Sequence, residues 1–337
     1  MAQLQRYFFS FHEVIKLDNF DENETLRSKR DILLRNLKDN LPTGGPRVVR
    51  SFNQGSYAMG TGTKPLDGNY DIDVGAVFDV EPDQANSVSL KKVVRDALTH
   101  SNRTVEIRRP CVTVNYLKGS VVDYHVDLAI YAQAEGDDLR LAKGKEGSSS
   151  ENCVWEMSDP EGLCREIANC QEKGKDRAQF RRVIRYLKRW RDYRFSHKGI
   201  FSIALTVSAY HWFTPYKDIL TEEYNDAGAL HRLVEIILSK WRPVVHNGEL
   251  VHRLQVPLPV EPRGDLLKNL TAPQMDDLQI RLVELRDALK DAIAEPEDAE
   301  ACKILAKKFG GDFPVPSAEK QNAAKVKSSV VGTGSSA

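Results

Sequence analysis

The chain has 337 residues, of which 41% are hydrophobic and 28% charged, a composition typical of a globular protein with a substantial core. Lysine plus arginine equal aspartate plus glutamate at 48 each, so the chain lacks the basic surplus of most proteins that bind long nucleic acid, and a small-molecule substrate is favoured. We recognise no signal peptide and no apolar run long enough to span a bilayer, which predicts a cytoplasmic protein with no membrane partner.

The first predicted element is a helix over residues 6–41, and a segment with Gly and Pro at 41–46 ends it. A short strand is predicted over 48–52, and a turn that contains Gly55 and Ser56 follows it. The leucines that carry the helical pattern are Leu26, Leu33, Leu37 and Leu41.

Two segments, 70–80 and 121–131, alternate between apolar and polar residues, as half-buried strands do. The polar face of the first presents Asp71 and Asp73, and the polar face of the second presents Asp127. The elements predicted between them are a helix over 88–100 and a strand over 111–117.

The second half of the chain is predicted to be mostly helical. Residues 134–151 are rich in Gly, Ser, Lys and Glu and predict an exposed loop, and helical patterns begin at about residue 160. We therefore predict three parts: a core of helices and strands with an N-terminal helix at 1–160, a helical domain at 161–316, and a flexible tail at 317–337. The predicted helices include 180–190, 200–213, 230–241 and 275–293.

The acidic residues on the two strands predict a metal site. Residues two apart on a strand point to the same face, so Asp71 and Asp73 present their carboxylates side by side. Neighbouring carboxylates repel each other, and Mg²⁺ relieves the repulsion because it prefers carboxylate and phosphate oxygens as ligands. A third carboxylate, from Asp127, would complete a site for two Mg²⁺ ions, with Mn²⁺ as a substitute, and could also act as a general base.

Two neighbours of Asp127 on its polar face leave alternatives open. Asp123 could replace Asp127 as the third ligand. His125 could bind phosphate, although a structural hydrogen bond is favoured. The turn at Gly55 and Ser56 offers backbone N–H groups and a hydroxyl, which suit a phosphate.

These motifs resemble a known family. Gly55-Ser56, Tyr70-Asp-Ile-Asp-Val74 and His125-Val-Asp-Leu-Ala-Ile-Tyr-Ala132 are similar to the bacterial cGAS/DncV-like nucleotidyltransferases, relatives of oligoadenylate synthetase in the polymerase-β-like superfamily. The resemblance implies an α+β fold: a polymerase-β-like core, with a mixed sheet and flanking helices, and a C-terminal helical domain like that of oligoadenylate synthetase.

The resemblance extends to the second half. Arg185-Tyr-Leu-Lys-Arg-Trp190 resembles the helix whose lysine contacts the triphosphate, which implies this role for Lys188. Phe201-Ser-Ile-Ala-Leu205 resembles the start of the next helix, whose serine also contacts phosphate, which implies this role for Ser202. From the pattern alone, Lys188 lies at the edge of an apolar stripe, so its amino group can reach a cleft. The base-stacking aromatic residue of the family cannot be placed, since Ile203 follows the serine.

The family joins nucleoside triphosphates into cyclic di- or trinucleotides, second messengers of anti-phage (CBASS-type) defence. The resemblance also implies a possible ubiquitin-transfer-like partner that acts on the C-terminal residue, Ala337. Two other functions stay open: an enzyme that makes linear oligonucleotides or nucleotidylates RNA or protein, and a non-catalytic nucleotide-binding or scaffold protein.

Overall fold

The structure is a computed structural model that describes residues 3–17, 20–66, 68, 70–118, 121–133, 138–195, 200–218 and 221–316, with the backbone alone for 20–26, 118 and 121–123. The predicted tail at 317–337, with Ala337, lies outside the described residues, and so does the side chain of Asp123.

The chain forms two compact units. A sheet unit lies within residues 16–177 and 256–266, and a helical unit lies within 1–15, 178–255 and 267–337. Residues 3–15 join the helical unit because Phe8 and Phe11 pack against Tyr186, with ring centroids 5.1 and 5.5 Å apart. The compact units therefore divide the chain differently from a single cut near residue 160.

The described strands of the sheet unit form a mixed sheet in the order β1-β2-β5-β4-β3, and β6 and β7 extend it from β5. Strands β2 and β5 are parallel, and the other pairs are antiparallel. This arrangement confirms the predicted α+β class. The elements are α2 (Phe20–Asn40), β1 (Val48–Asn53), α3 (Gly55–Ala58), β2 (Tyr70–Phe78), α4 (Ser87–Leu98), β3 (Arg103–Ile107), β4 (Val112–Lys118), β5 (Val121–Gln133), β6 (Leu139–Lys143), β7 (Val154–Met157) and α5 (Pro160–Asn169).

The alternation predicted for β2 determines which of its side chains enter the main core. Four apolar residues of β2 face a core that also contains residues of α2 and α4, including Leu33 and Val94; they are Ile72, Val74, Ala76 and Phe78. The opposite face of the strand carries the two aspartates. Because the period of a strand is two, the core face and the acidic face follow from the sequence.

The helical unit contains the remaining helices and one hairpin. Its aromatic core combines residues from both ends of its described chain, since Phe8 and Phe11 also pack against Phe309, the last residue of the final helix, and against Phe313. The elements are α1 (Gln5–Ile15), most of α6 (Lys175–Arg194), α7 (Ser202–Trp212), α8 (Asp226–Leu238), β8 (Arg242–His246), β9 (Glu249–Arg253), α9 (Ala272–Ala294) and α10 (Asp298–Phe309).

Several local predictions were wrong. The single helix expected over 6–41 is two helices, because the chain leaves α1 at Ile15 and Lys16 pairs with Thr63 in a β-bridge. The expected loop at 134–151 contains β6, whose short and charged sequence lacks a strong strand pattern. Strands β3, β7, β8 and β9 and helix α10 were also missed. None of the described helices is long and apolar enough to cross a membrane.

Candidate active site

The site begins with the register of two neighbouring strands. In the parallel pair β2 and β5, Asp73 is opposite Asp127 and Asp71 is opposite His125. Paired strands lie about 4.8 Å apart, so side chains at these positions on the same face are neighbours. The pairing therefore brings together acidic groups that are more than fifty positions apart in the sequence.

Within the described part of the chain, one group of residues is close enough to hold a metal ion through three ligand atoms. It consists of Asp71, His125 and Asp127, and one ligand atom from each lies within 4.8 Å of the other two. Nε2 of His125 is 3.3 Å from Oδ1 of Asp71. The histidine therefore belongs to the acidic cluster itself.

The electrostatics of Asp71 favour a cation. Its surroundings desolvate the carboxylate, and the negative charge of Asp127 adds to this effect, so the pKa of Asp71 is raised to about 7, although Arg108 opposes the shift. The side chain is still 46% exposed, so a ligand can reach it. Two carboxylates that disfavour each other's charge, with an imidazole beside them, are a donor set that fits a divalent cation.

Asp127 is held from the neighbouring strand. The hydroxyl of Thr113 on β4 donates a hydrogen bond to Oδ1 of Asp127, and Thr113 is fully buried opposite it in the β4–β5 register. Sγ of Cys111 lies 3.6 Å from the same hydroxyl. A partner of this kind restricts the rotation of a carboxylate and so prepares it as a ligand.

Asp73 lies at the other side of the site, against the predicted phosphate-binding turn. A β-carbon on Gly55 would lie 1.9 Å from Oδ2 of Asp73, so the carboxylate directly contacts this turn. Gly55 has a φ of +65°, a left-handed conformation that favours glycine. The structure therefore places Asp73 between the acidic cluster and the turn, and its role as a metal ligand beside Asp71 and Asp127 stays a prediction.

The turn itself is a short helix, α3, rather than an open loop. The backbone N–H of Gln54 donates to the carbonyl of Asp73 at 3.1 Å, which ties the entrance of the turn to β2. The N–H of Thr61 donates to the carbonyl of Ser56 at 2.9 Å. Helix α5 packs against α3, and Cys164 on α5 lies next to the backbone of Gly55. The turn is therefore supported on several sides.

Residues 49–131, which contain all of these strand and turn residues except Cys164, match the family described as the nucleotidyltransferase domain of DncV-like cyclic GMP-AMP synthase. A cyclic GMP-AMP synthase of Escherichia albertii is 30% identical over 190 residues, or 53% of this chain and 41% of that protein. Residues 49–131 thus form a DncV-like nucleotidyltransferase domain. The alignment thus spans about two fifths of the length of the curated relative.

Solved structures show that this chain shares its fold with the DncV cyclic AMP-GMP synthase of Vibrio cholerae. The TM-score is 0.70 at 15% identity, over 93% of this chain and 98% of that chain. A structure of the same synthase in complex with the linear intermediate 5′ pppA(3′,5′)pG gives a TM-score of 0.68 at 16% identity, over 92% and 96% of the two chains. At such identities the likeness establishes the fold.

The two predicted phosphate-binding residues of the second half lie in the helical unit. Lys188 is within α6 and only 4% exposed, so its side chain is far more buried than the position at the edge of the apolar stripe suggested. Ser202 is the first residue of α7, as predicted, and the preceding Phe201 is 63% exposed. Triphosphate binding by Lys188 and Ser202 stays a prediction.

Sequence reasoning missed two side chains that support the site. Thr113 was recognised only as part of a predicted strand, and Cys164 was not singled out. The sequence offered one weak indication for Thr113, namely a hydroxyl side chain on the predicted strand that precedes the strand of Asp127. Cys164 had no local signal, because its contact with Gly55 joins residues more than a hundred positions apart.

Proposed function

We propose that this protein is a Mg²⁺-dependent nucleotidyltransferase that makes a cyclic di- or trinucleotide from nucleoside triphosphates. The observation that carries the proposal is the cluster of Asp71 and Asp127, brought into contact by parallel strands within the DncV-like domain. The V. cholerae synthase of the same fold binds a linear dinucleotide intermediate, which supports the same substrate class here.

The aspartates hold the metal in this proposal. Asp71, Asp73 and Asp127 are the carboxylates for Mg²⁺, with Mn²⁺ as a substitute, and His125 stabilises Asp71 from a distance of 3.3 Å. Bound divalent cations neutralise triphosphate charge and lower the pKa of an attacking hydroxyl. Thr113 fixes the carboxylate of Asp127, which is thereby oriented to accept the proton of the attacking hydroxyl.

Other residues bind the triphosphate. Gly55 and Ser56 begin α3, and the hydroxyl of Ser56 suits a phosphate oxygen. Lys188 supplies positive charge, and Ser202 adds a hydroxyl at the start of α7. A hydroxyl of one nucleotide attacks the α-phosphate of another and pyrophosphate leaves, and a second transfer in the same site closes the ring.

The decisive experiment incubates the purified protein with all four nucleoside triphosphates and Mg²⁺ and identifies the products by mass spectrometry. A phosphatase-resistant product supports cyclisation, whereas a phosphatase-sensitive one supports the alternative of a linear oligonucleotide synthase. Asp71→Asn and Asp127→Asn should each reduce turnover by at least about 100-fold. Asp83→Asn, an exposed carboxylate in a turn of the same unit, is the matched control. Undiminished turnover in the site variants would contradict the proposal.

The cellular role proposed here is anti-phage signalling of the CBASS type. It predicts that expression with the neighbouring genes protects cells from phage, and that Asp71→Asn abolishes protection. Attachment of Ala337 to a target by a ubiquitin-transfer-like partner is a separate part of the proposal. Mass spectrometry of the C-terminal peptide from such cells tests it, and an Ala337 carboxylate unmodified in every peptide would count against it.

A further inference from the structure

Beneath the predicted phosphate-binding turn lies a buried tyrosine that the proposed chemistry does not use. Tyr131 is four residues beyond Asp127 on β5, so it lies on the same face of the strand, and it is 2% exposed. Its hydroxyl donates a hydrogen bond of 2.9 Å to Oε1 of Gln54, the residue that immediately precedes Gly55.

Gln54 is held at two points. Its backbone N–H bonds to the carbonyl of Asp73, and its side chain accepts from Tyr131 rather than capping α3. Because the side-chain oxygen of Gln54 accepts the hydrogen bond from Tyr131, the NH₂ group of the same amide points away from Tyr131. The position of Gln54 therefore depends on Tyr131 as well as on β2.

The ring of Tyr131 is itself fixed by packing. Its centroid lies 5.6 Å from that of Phe52, the residue two before Gln54. The ring of Phe52 in turn covers Gly75, where a β-carbon would lie 2.3 Å from Cζ of Phe52. Packing thus restricts both rings, and it holds the Tyr131 hydroxyl within hydrogen-bonding distance of Gln54.

We propose that Tyr131 is a positioning residue for nucleotide binding, which acts through Gln54 to hold the Gly55-Ser56 turn in place. A buried hydroxyl is costly unless it is hydrogen-bonded, and this one bonds to Gln54. The contact joins β5 to the residue that precedes α3. The inference rests on the proposed function, because it concerns the affinity of that site for nucleoside triphosphates.

Tyr131→Phe tests the proposal, because it keeps the ring and removes only the hydroxyl. We expect the Kd for ATP or GTP, whichever the wild type binds, to rise about tenfold, the usual effect of one lost hydrogen bond. The affinity for Mn²⁺ alone should stay unchanged. Hydrogen exchange of the amides at 54–58 should become faster. Tyr116→Phe is the matched control, since Tyr116 is also buried on the sheet and its hydroxyl contacts Arg103 instead.

A double-mutant cycle separates positioning from a general loss of stability. If Tyr131 acts through Gln54, Tyr131→Phe should add nothing to the nucleotide affinity lost in Gln54→Met. Additive losses would overturn the proposal, and so would wild-type affinity and wild-type exchange at 54–58 in Tyr131→Phe. A wild-type protein that binds no triphosphate would instead overturn the proposed function, and this inference with it, so the two failures are distinguishable.

Discussion

Oδ2 of Asp73 lies 1.9 Å from the place that a β-carbon would take on Gly55. Cγ and Cβ of Asp73 are also within 2.6 and 2.8 Å of that place, so rotation of the carboxylate alone would not make room. The absence of a side chain at Gly55 therefore allows a predicted metal ligand and a predicted phosphate-binding turn to be in direct contact.

Gly55→Ala should reduce nucleotidyl transfer by about 100-fold, because the turn and Asp73 must move apart. The matched control is Gly44→Ala. Gly44 also has a left-handed φ, +75° against +65° for Gly55, but a β-carbon there meets nothing within 4 Å. Gly44→Ala therefore carries the backbone strain without the clash and should keep its activity. Equal losses in steady-state assays of the two variants would show that strain alone matters.

Thr113→Val should weaken Mn²⁺ binding about tenfold, since Asp127 loses the hydroxyl that restrains its carboxylate. Thr113→Ser keeps the hydroxyl and should restore the affinity. Titration followed by electron paramagnetic resonance measures free Mn²⁺ directly. Thr104→Val, at an exposed position on β3, controls for the change of residue type. If Thr113→Val bound Mn²⁺ as well as the wild type, the hydrogen bond would have no part in preparing the site.

Lys91→Met should lower the free energy of unfolding by about 3 kcal/mol. The ammonium of Lys91 is fully buried and donates to three carbonyls, those of Arg108, Arg109 and Gly144, at 2.7–3.1 Å. Burial lowers the pKa of Lys91 to about 8, so the group is still charged at neutral pH. The variant leaves the three carbonyls without this donor.

Urea denaturation at pH 7 measures the effect of Lys91→Met. Its neighbour gives the control, because Lys92 is exposed and Lys92→Met should leave the midpoint nearly unchanged. Similar midpoints for the two variants would mean that water replaces the buried ammonium at little cost.

His12 should make the protein sensitive to acid. Burial and the positive charge of Arg185 lower the pKa of His12 to about 4, and Nε2 of the ring lies 3.1 Å from the Arg185 guanidinium. An unfolded histidine binds its proton at about pH 6.5. Between these values the unfolded chain is protonated and the folded chain is not, so this contribution to stability is complete above pH 6.5 and is lost as the pH falls towards 4.

The loss should be about 2 kcal/mol by pH 4.5, measured as the fall in the thermal unfolding midpoint with pH. His12→Gln keeps an oxygen acceptor for Arg185 and should show a shallower decline. His252→Gln, at an exposed position, should follow the wild type. Parallel curves for all three proteins would contradict the assignment to His12.

The acidic face of the site could be predicted because strand periodicity is local. Asp71 and Asp73 must share a face whatever the rest of the chain does, and the same holds for His125 and Asp127. The polar turn after β1 and the start of α7 at Ser202 were also visible, since turn residues and helix starts depend on nearby sequence. The motifs also resembled those of a known family, and this resemblance predicted the fold.

Only the tertiary structure decided which groups meet. The parallel register of β2 and β5 places His125 beside Asp71, and the antiparallel register of β4 and β5 brings Asp127 within reach of the buried Thr113. The contact between Asp73 and Gly55 likewise depends on how β1 enters the sheet. These relationships join segments that are distant in sequence, and pairing between strands is set by packing of the whole sheet, which no local pattern contains.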